Sequence, residues 1–213
     1  MSSESLINQL SGDLKPVRPR RLWRDMTIIA AICLAEIIVF FALGAALPDM
    51  PMKIHQPTFW WRLVSLGLIA VISGVPAILS FGPTYSPRRA LQWIFVVIGV
   101  CLLTGLWFNA GPDELESLFR RIAWRDGIQC VFKMVTLSIP PMVGLGVLMC
   151  RGAPTDRAKS ALLVGISAAT WGAFVFVFAC PFNDPLYIAV WYSVACGTII
   201  LLSQALLPHL ARW

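Results

Sequence analysis

Six apolar runs of bilayer-crossing length dominate this chain, at residues 27–47, 59–81, 90–108, 128–149, 158–179 and 187–207. A helix rises ~1.5 Å per residue, so about 20 residues cross the ~30 Å hydrocarbon layer. Uniformly apolar runs do not separate a period of 3.6 from one of 2, but their length excludes barrel strands, which need only about 10 residues. Helices remain as the way to satisfy the backbone in lipid. The composition agrees: 58% of the 213 residues are hydrophobic and only 13% are charged, beyond what a soluble domain carries. We therefore expect an all-α fold, a polytopic membrane protein with six transmembrane helices. A leading stretch of 26 residues and no clear cleavage site mark the first run as a retained anchor, not a signal peptide.

Basic residues orient the bundle. With the first residues inside, Lys15, Arg18, Arg20, Arg21, Arg24, Arg88, Arg89, Arg151, Arg157, Lys159 and Arg212 fall on the inner side. Lys53, Arg62, Arg120, Arg121 and Arg125 fall on the outer side, a minority that favours both termini in the cytoplasm. The expected organisation is a cytoplasmic tail at 1–26, a membrane domain at 27–207 and a short cytoplasmic end at 208–213. The net charge of +6 reads as topology and attraction to membrane lipid, with no direct nucleic-acid contact. In the longest outer loop, residues 113–125 place Leu115, Leu118, Phe119 and Ile122 on one stripe, the pattern of an interfacial helix with Trp124 at headgroup level.

Polar groups inside the runs are few. Glu36 lies about ten residues into the first run and is expected to be neutral or paired with another helix, while Arg62 and Lys133 sit close enough to the outer surface to snorkel. HExxH, GxSxG and Walker patterns are lacking, there are no paired intramembrane carboxylates, and the two histidines are His55 and His209. An enzyme is not expected.

The six cysteines sort by depth. Cys33 and Cys150 fall toward the inner side, and Cys101 and Cys196 lie among apolar neighbours, where cysteine serves as a small hydrophobe. Cys130 and Cys180 lie 24 and 26 residues from Pro154 in the connecting loop. In an antiparallel hairpin their depths differ by only about 3 Å, which brings both to the outer mouth. Asp126 and Gly127 are expected to cap the fourth helix, placing Cys130 in its first turns, where the helix dipole and Lys133 favour thiolate. Pro181 stops the fifth helix just after Cys180, and Asp184 adds a hard oxygen ligand nearby. Two thiols suit a soft metal ion or a reversible disulfide, and equally a structural bridge or plain packing.

The tail carries an apolar stripe of Leu6, Ile7, Leu10 and Leu14, a helix-in-groove signature that Pro16 and Pro19 terminate. The basic run from Arg18 to Arg24 anchors the topology or meets an acidic partner.

Three stretches taken together, CPFNDPLYIAVWY from Cys180, Cys130 ahead of SIPP at Ser138, and DLKPVR from Asp13, resemble the NrsF-type family of membrane anti-sigma factors. The resemblance covers nearly the whole chain. It implies a multi-pass protein of the bacterial inner membrane that sequesters an extracytoplasmic-function sigma factor and frees it on heavy-metal or oxidative stress. It further implies Cys130 and Cys180 as sensors, able to hold a soft heavy-metal ion, with no cofactor required. The sigma-binding region would include residues 13–18; with Leu10 from the apolar stripe, the expected partner-facing set is Leu10, Asp13, Leu14, Pro16, Val17 and Arg18. The rival reading is a small-molecule permease or membrane redox protein in which Glu36, Lys133 and the thiols line a path.

Overall fold

The computed structural model describes residues 21–48, 52, 54–107, 124–182 and 184–210. Its regular structure is helical: α1 (Leu22–Ala42), α2 (Pro57–Leu79), α3 (Arg88–Trp107), α4 (Trp124–Cys150), α5 (Arg157–Phe176) and α6 (Pro185–Leu210). All six are long and apolar enough to cross a membrane. Their outward faces carry Leu34, Leu103, Phe132 and Leu201, each more than half exposed, an apolar surface that lipid accommodates and water does not.

The six helices match the six apolar runs, with shifted ends. α1 begins and ends five residues before the run at 27–47, because the chain turns at Gly44, whose φ of +64° is a left-handed conformation that glycine adopts without strain. α4 begins at Trp124, four residues before the run at 128–149. Asp126 and Gly127 therefore lie within its first turn and do not cap it, which corrects the expectation from sequence; Asp126 still favours the positive helix end. Of the interfacial stripe at 113–125, only Trp124 and Arg125 are described, and they open α4. The tail at 1–20 lies outside the described residues.

α5 is the axis of the bundle. In its apolar stretch 78% of residues are buried inside the protein, against 11% in α1 and 17% in α3. It packs on α2, α4 and α6, while α1 leans on α4 and α3 on α2 and α6. Small residues make this possible: a Cβ on Gly172 would lie 2.1 Å from the Ser138 hydroxyl of α4, and one on Gly165 would lie 2.3 Å from the Ser203 hydroxyl of α6. Without a hydrophobic drive between helices in lipid, such close backbone approach and interhelical hydrogen bonds hold the bundle. Ser203 donates to the Ala161 carbonyl at 2.8 Å, and the Gln204 amide donates to the Ala158 carbonyl at 3.0 Å.

The two ends of the bundle differ. At one end the α4–α5 turn meets the α2–α3 turn, where the Ala153 amide donates to the Phe81 carbonyl at 3.0 Å. Asp156 caps α5 there by accepting from the Lys159 amide at 3.0 Å. The Lys159 ammonium, hydrogen-bonded to the same carboxylate, holds Asp156 below the usual carboxylate range. At the other end the segment after α1 meets the turn after α5, with the Leu47 amide donating to the Phe178 carbonyl at 3.1 Å. That second end carries Cys130 and Cys180.

Candidate functional site

Cys130 is the seventh residue of α4, one turn past Gly127. Gly127 lets α6 come close, since a Cβ there would lie 1.9 Å from the Trp191 ring. Trp124 then meets Trp191 edge-on at 5.5 Å and closes that side. Cys180 lies in the turn that follows α5, its amide donating to the Phe176 carbonyl at 3.0 Å. Pro181 cannot extend that helical winding. α6 restarts the chain at Pro185, capped by Asp184, whose carboxylate accepts from the Leu186 amide at 3.0 Å. A helix cap is thus a settled use for Asp184, and no group of three or more His, Cys, Asp or Glu side chains is assembled around a metal position among the described residues.

The hairpin brings the two thiols together. Neither is in a disulfide, Cys130 is 5% exposed and Cys180 is fully buried, and they share one core cluster within hydrogen-bonding reach of each other. Around them stands a polar shell. The Tyr187 hydroxyl is 3.3 Å from the Cys130 sulfur. The Cys180 thiol donates to the Phe182 carbonyl at 3.5 Å, and Arg62 of α2 donates to that same carbonyl at 3.2 Å. The Tyr192 phenol, also buried, faces Cys180 without closing a hydrogen bond of ordinary geometry. The Phe182 and Tyr187 rings, 4.4 Å apart, cover the turn.

This shell gives the two sulfurs different characters. The Cys130 thiol donating to Cys180 holds the Cys180 thiol below its ordinary range, and the Arg62 guanidinium acts in the same direction against burial. One sulfur is thus poised as the thiolate, with a second thiol beside it. Such a pair can lose two electrons to form a disulfide, or offer two soft donors to a metal ion.

Arg62 corrects the sequence reading most sharply. It does not snorkel: it is 2% exposed and its charged head is turned toward the Cys180 turn. Lys133 does lie exposed on α4. Tyr187 and Tyr192 were not singled out, although the sequence holds a signal for one of them: Tyr187 and Trp191 are four residues apart, so both face the cluster from α6. Glu36 is paired with another helix, as expected, accepting from the Trp171 indole at 2.9 Å. Leu10, Asp13, Leu14, Pro16, Val17 and Arg18 lie outside the described residues.

Comparison with known proteins gives a family. Residues 10–213 match the family described as NrsF, negative regulator of sigma F. The anti-sigma-F factor NrsF of Caulobacter vibrioides is 25% identical over 224 residues, covering all of both chains. No solved structure matches. The chain therefore belongs to the NrsF family of negative regulators of sigma F, and it is an anti-sigma factor and not an enzyme.

Proposed function

We propose that this chain holds a sigma factor of the extracytoplasmic-function class at the cytoplasmic face of the bacterial inner membrane, and releases it when the Cys130–Cys180 pair is oxidised or takes up a soft heavy-metal ion. The observation that carries the reading is the pair itself: two thiols, not joined in a disulfide, from opposite arms of the α4–α5 hairpin and buried against each other. The partner would be gripped by the tail at 1–26 through Leu10, Asp13, Leu14, Pro16, Val17 and Arg18. Arg18 lies four residues before the start of α1 at Leu22, which keeps the partner close to the bilayer and away from DNA.

Both termini face the cytoplasm in this account, and the dithiol faces the periplasm. Arg88, Arg151, Arg157 and Lys159 gather at the end opposite the thiols, in agreement with the inward bias of basic residues. An oxidising periplasm permits disulfide formation. The relay to the tail is α1, which leans on the thiol-bearing α4 and continues from the tail. The ligand or oxidant must favour one of two bundle states for the signal to pass.

Co-purification from native membranes tests this. The full chain should bring down a sigma factor, a chain lacking residues 1–25 should not, and Hg2+ should release the partner from the wild type but not from Cys130→Ser or Cys180→Ser. Retention of the partner by the truncated chain would move the contact to the inner loops. Transport activity in proteoliposomes without any captured sigma factor would favour the permease reading.

A further inference from the structure

Two ionisable side chains outside the hydrogen-bonded shell of the dithiol line one cavity. Glu36 of α1 and Lys133 of α4 line a space of about 910 Å3 between those helices, with Phe176 and Ala179 also in its wall. That volume falls within the ~300–1,000 Å3 usual for small-molecule sites. The remaining wall is largely apolar, including Phe40 and Phe132, and the Thr136 hydroxyl is engaged by the Phe132 carbonyl at 2.9 Å.

The Glu36 carboxylate is half satisfied. One oxygen accepts from the Trp171 indole at 2.9 Å, while the other is buried without a hydrogen-bond partner. Lys133 makes no hydrogen bond or ion pair among the described residues. An acyl chain filling the groove would leave the buried Glu36 oxygen unsatisfied, a penalty that buried polar groups rarely bear, and would bring no acceptor to Lys133. The two groups together ask for an occupant that brings a hydrogen-bond donor to Glu36 and an anionic oxygen to Lys133, on an apolar body.

Both groups lie nearer the end of the bundle that carries the thiols than the opposite end. Lys133 lies nine residues below Trp124, about 14 Å along the helix, and its stem can lift the ammonium several ångströms toward the headgroups. Glu36 lies six residues before the end of α1 at Ala42, about 9 Å from it. The stretch from Ala45 to Pro48 rims the cavity at that same end.

We propose that the α1–α4 cavity is a binding site for a phospholipid with a primary-ammonium head group, the phosphate on Lys133 and the ammonium on the free oxygen of Glu36. The site lies between the helix that leads from the tail and the helix that bears Cys130, so its occupant sets how α1 seats on the bundle.

Native mass spectrometry of the full chain in detergent, with phosphatidylethanolamine, phosphatidylcholine and phosphatidylglycerol of identical acyl chains, tests the assignment. Phosphatidylethanolamine should be retained on the order of tenfold better than phosphatidylcholine, whose trimethylated head has no N–H to give, the worth of one charge-assisted hydrogen bond. Glu36→Gln should erase that preference and Lys133→Met should weaken retention of all three lipids, with unfolding temperature as the check that each variant is folded. Equal retention of the first two lipids by the wild type, a stronger hold on phosphatidylglycerol, or a preference unchanged in Glu36→Gln would overturn it.

Discussion

Arg62 and Cys180 converge on one acceptor: the guanidinium donates to the Phe182 carbonyl at 3.2 Å, and the thiol donates to the same oxygen at 3.5 Å. A buried cation thereby fixes the turn that carries the more acidic sulfur. When Cys180 ionises it gives up its own bond to that carbonyl, and Arg62 keeps the turn in place while its charge favours the thiolate.

Replacing Arg62 should therefore change reactivity through charge. Cys180 is held below its ordinary range in the folded chain, so at a given pH more of it is thiolate than in an ordinary cysteine, and that thiolate is lost as pH falls through the lowered value. In Arg62→Met the alkylation profile of Cys180 should move to higher pH, and at any pH below the profile's midpoint labelling should slow by on the order of tenfold for each unit of movement. Arg62→Lys should recover part of the rate. Iodoacetamide labelling against pH, read by peptide mass, measures it, and an unmoved profile in a folded Arg62→Met chain would contradict the role given to the cation.

Gly127 is a packing requirement. Gly127→Ala drives a methyl into the Trp191 ring, and overpacking of this kind costs about 1–3 kcal/mol. Gly99→Ala, with nothing within 4 Å of the added Cβ, should change stability by less than about 0.5 kcal/mol. Unfolding of the two variants in mixed detergent micelles should separate them clearly.

The Tyr187 hydroxyl is the partner of Cys130, at 3.3 Å in a fully buried position. Tyr187→Phe removes that partner and keeps the ring on Phe182, so the loss should be about 0.5–1.5 kcal/mol, the net worth of one hydrogen bond. Equilibrium unfolding checks this. A loss above about 3 kcal/mol would show that the phenol does more than satisfy one thiol.

Trp171 anchors Glu36 to the bundle axis. Trp171→Phe keeps the apolar ring but leaves the carboxylate without its indole donor, and an unsatisfied buried group costs about 1–3 kcal/mol. α1 is the least buried span, so its seating should loosen first. Faster hydrogen exchange in α1 than in α5 of this variant is the expected result.

Much of this was legible in the sequence, and the reasons are specific. The six spans were readable because lipid demands about 20 apolar residues in a row, a requirement that does not depend on tertiary contacts. The meeting of Cys130 and Cys180 followed from equal counting along two antiparallel helices. The start of α4 was not readable, because residues 124–127 (Trp, Arg, Asp and Gly) precede the apolar run and the helix nonetheless begins with them. Arg62 escaped because its acceptor is the Phe182 carbonyl, and backbone acceptors leave no mark on sequence. Tyr192 was hidden in an apolar stretch whose facing partner only the packing of α6 reveals.

The central claim is that the Cys130–Cys180 pair governs the hold on the sigma factor. The direct measurement uses the full chain with Cys33, Cys101, Cys150 and Cys196 changed to serine, in membranes carrying the bound partner, treated with diamide and analysed at once for disulfide-linked peptides and for partner still attached. The account predicts a Cys130–Cys180 disulfide whose yield rises in step with release of the sigma factor, and no release when either cysteine is serine. A disulfide that forms fully while the partner stays bound, or release that persists in Cys130→Ser and Cys180→Ser, would contradict it.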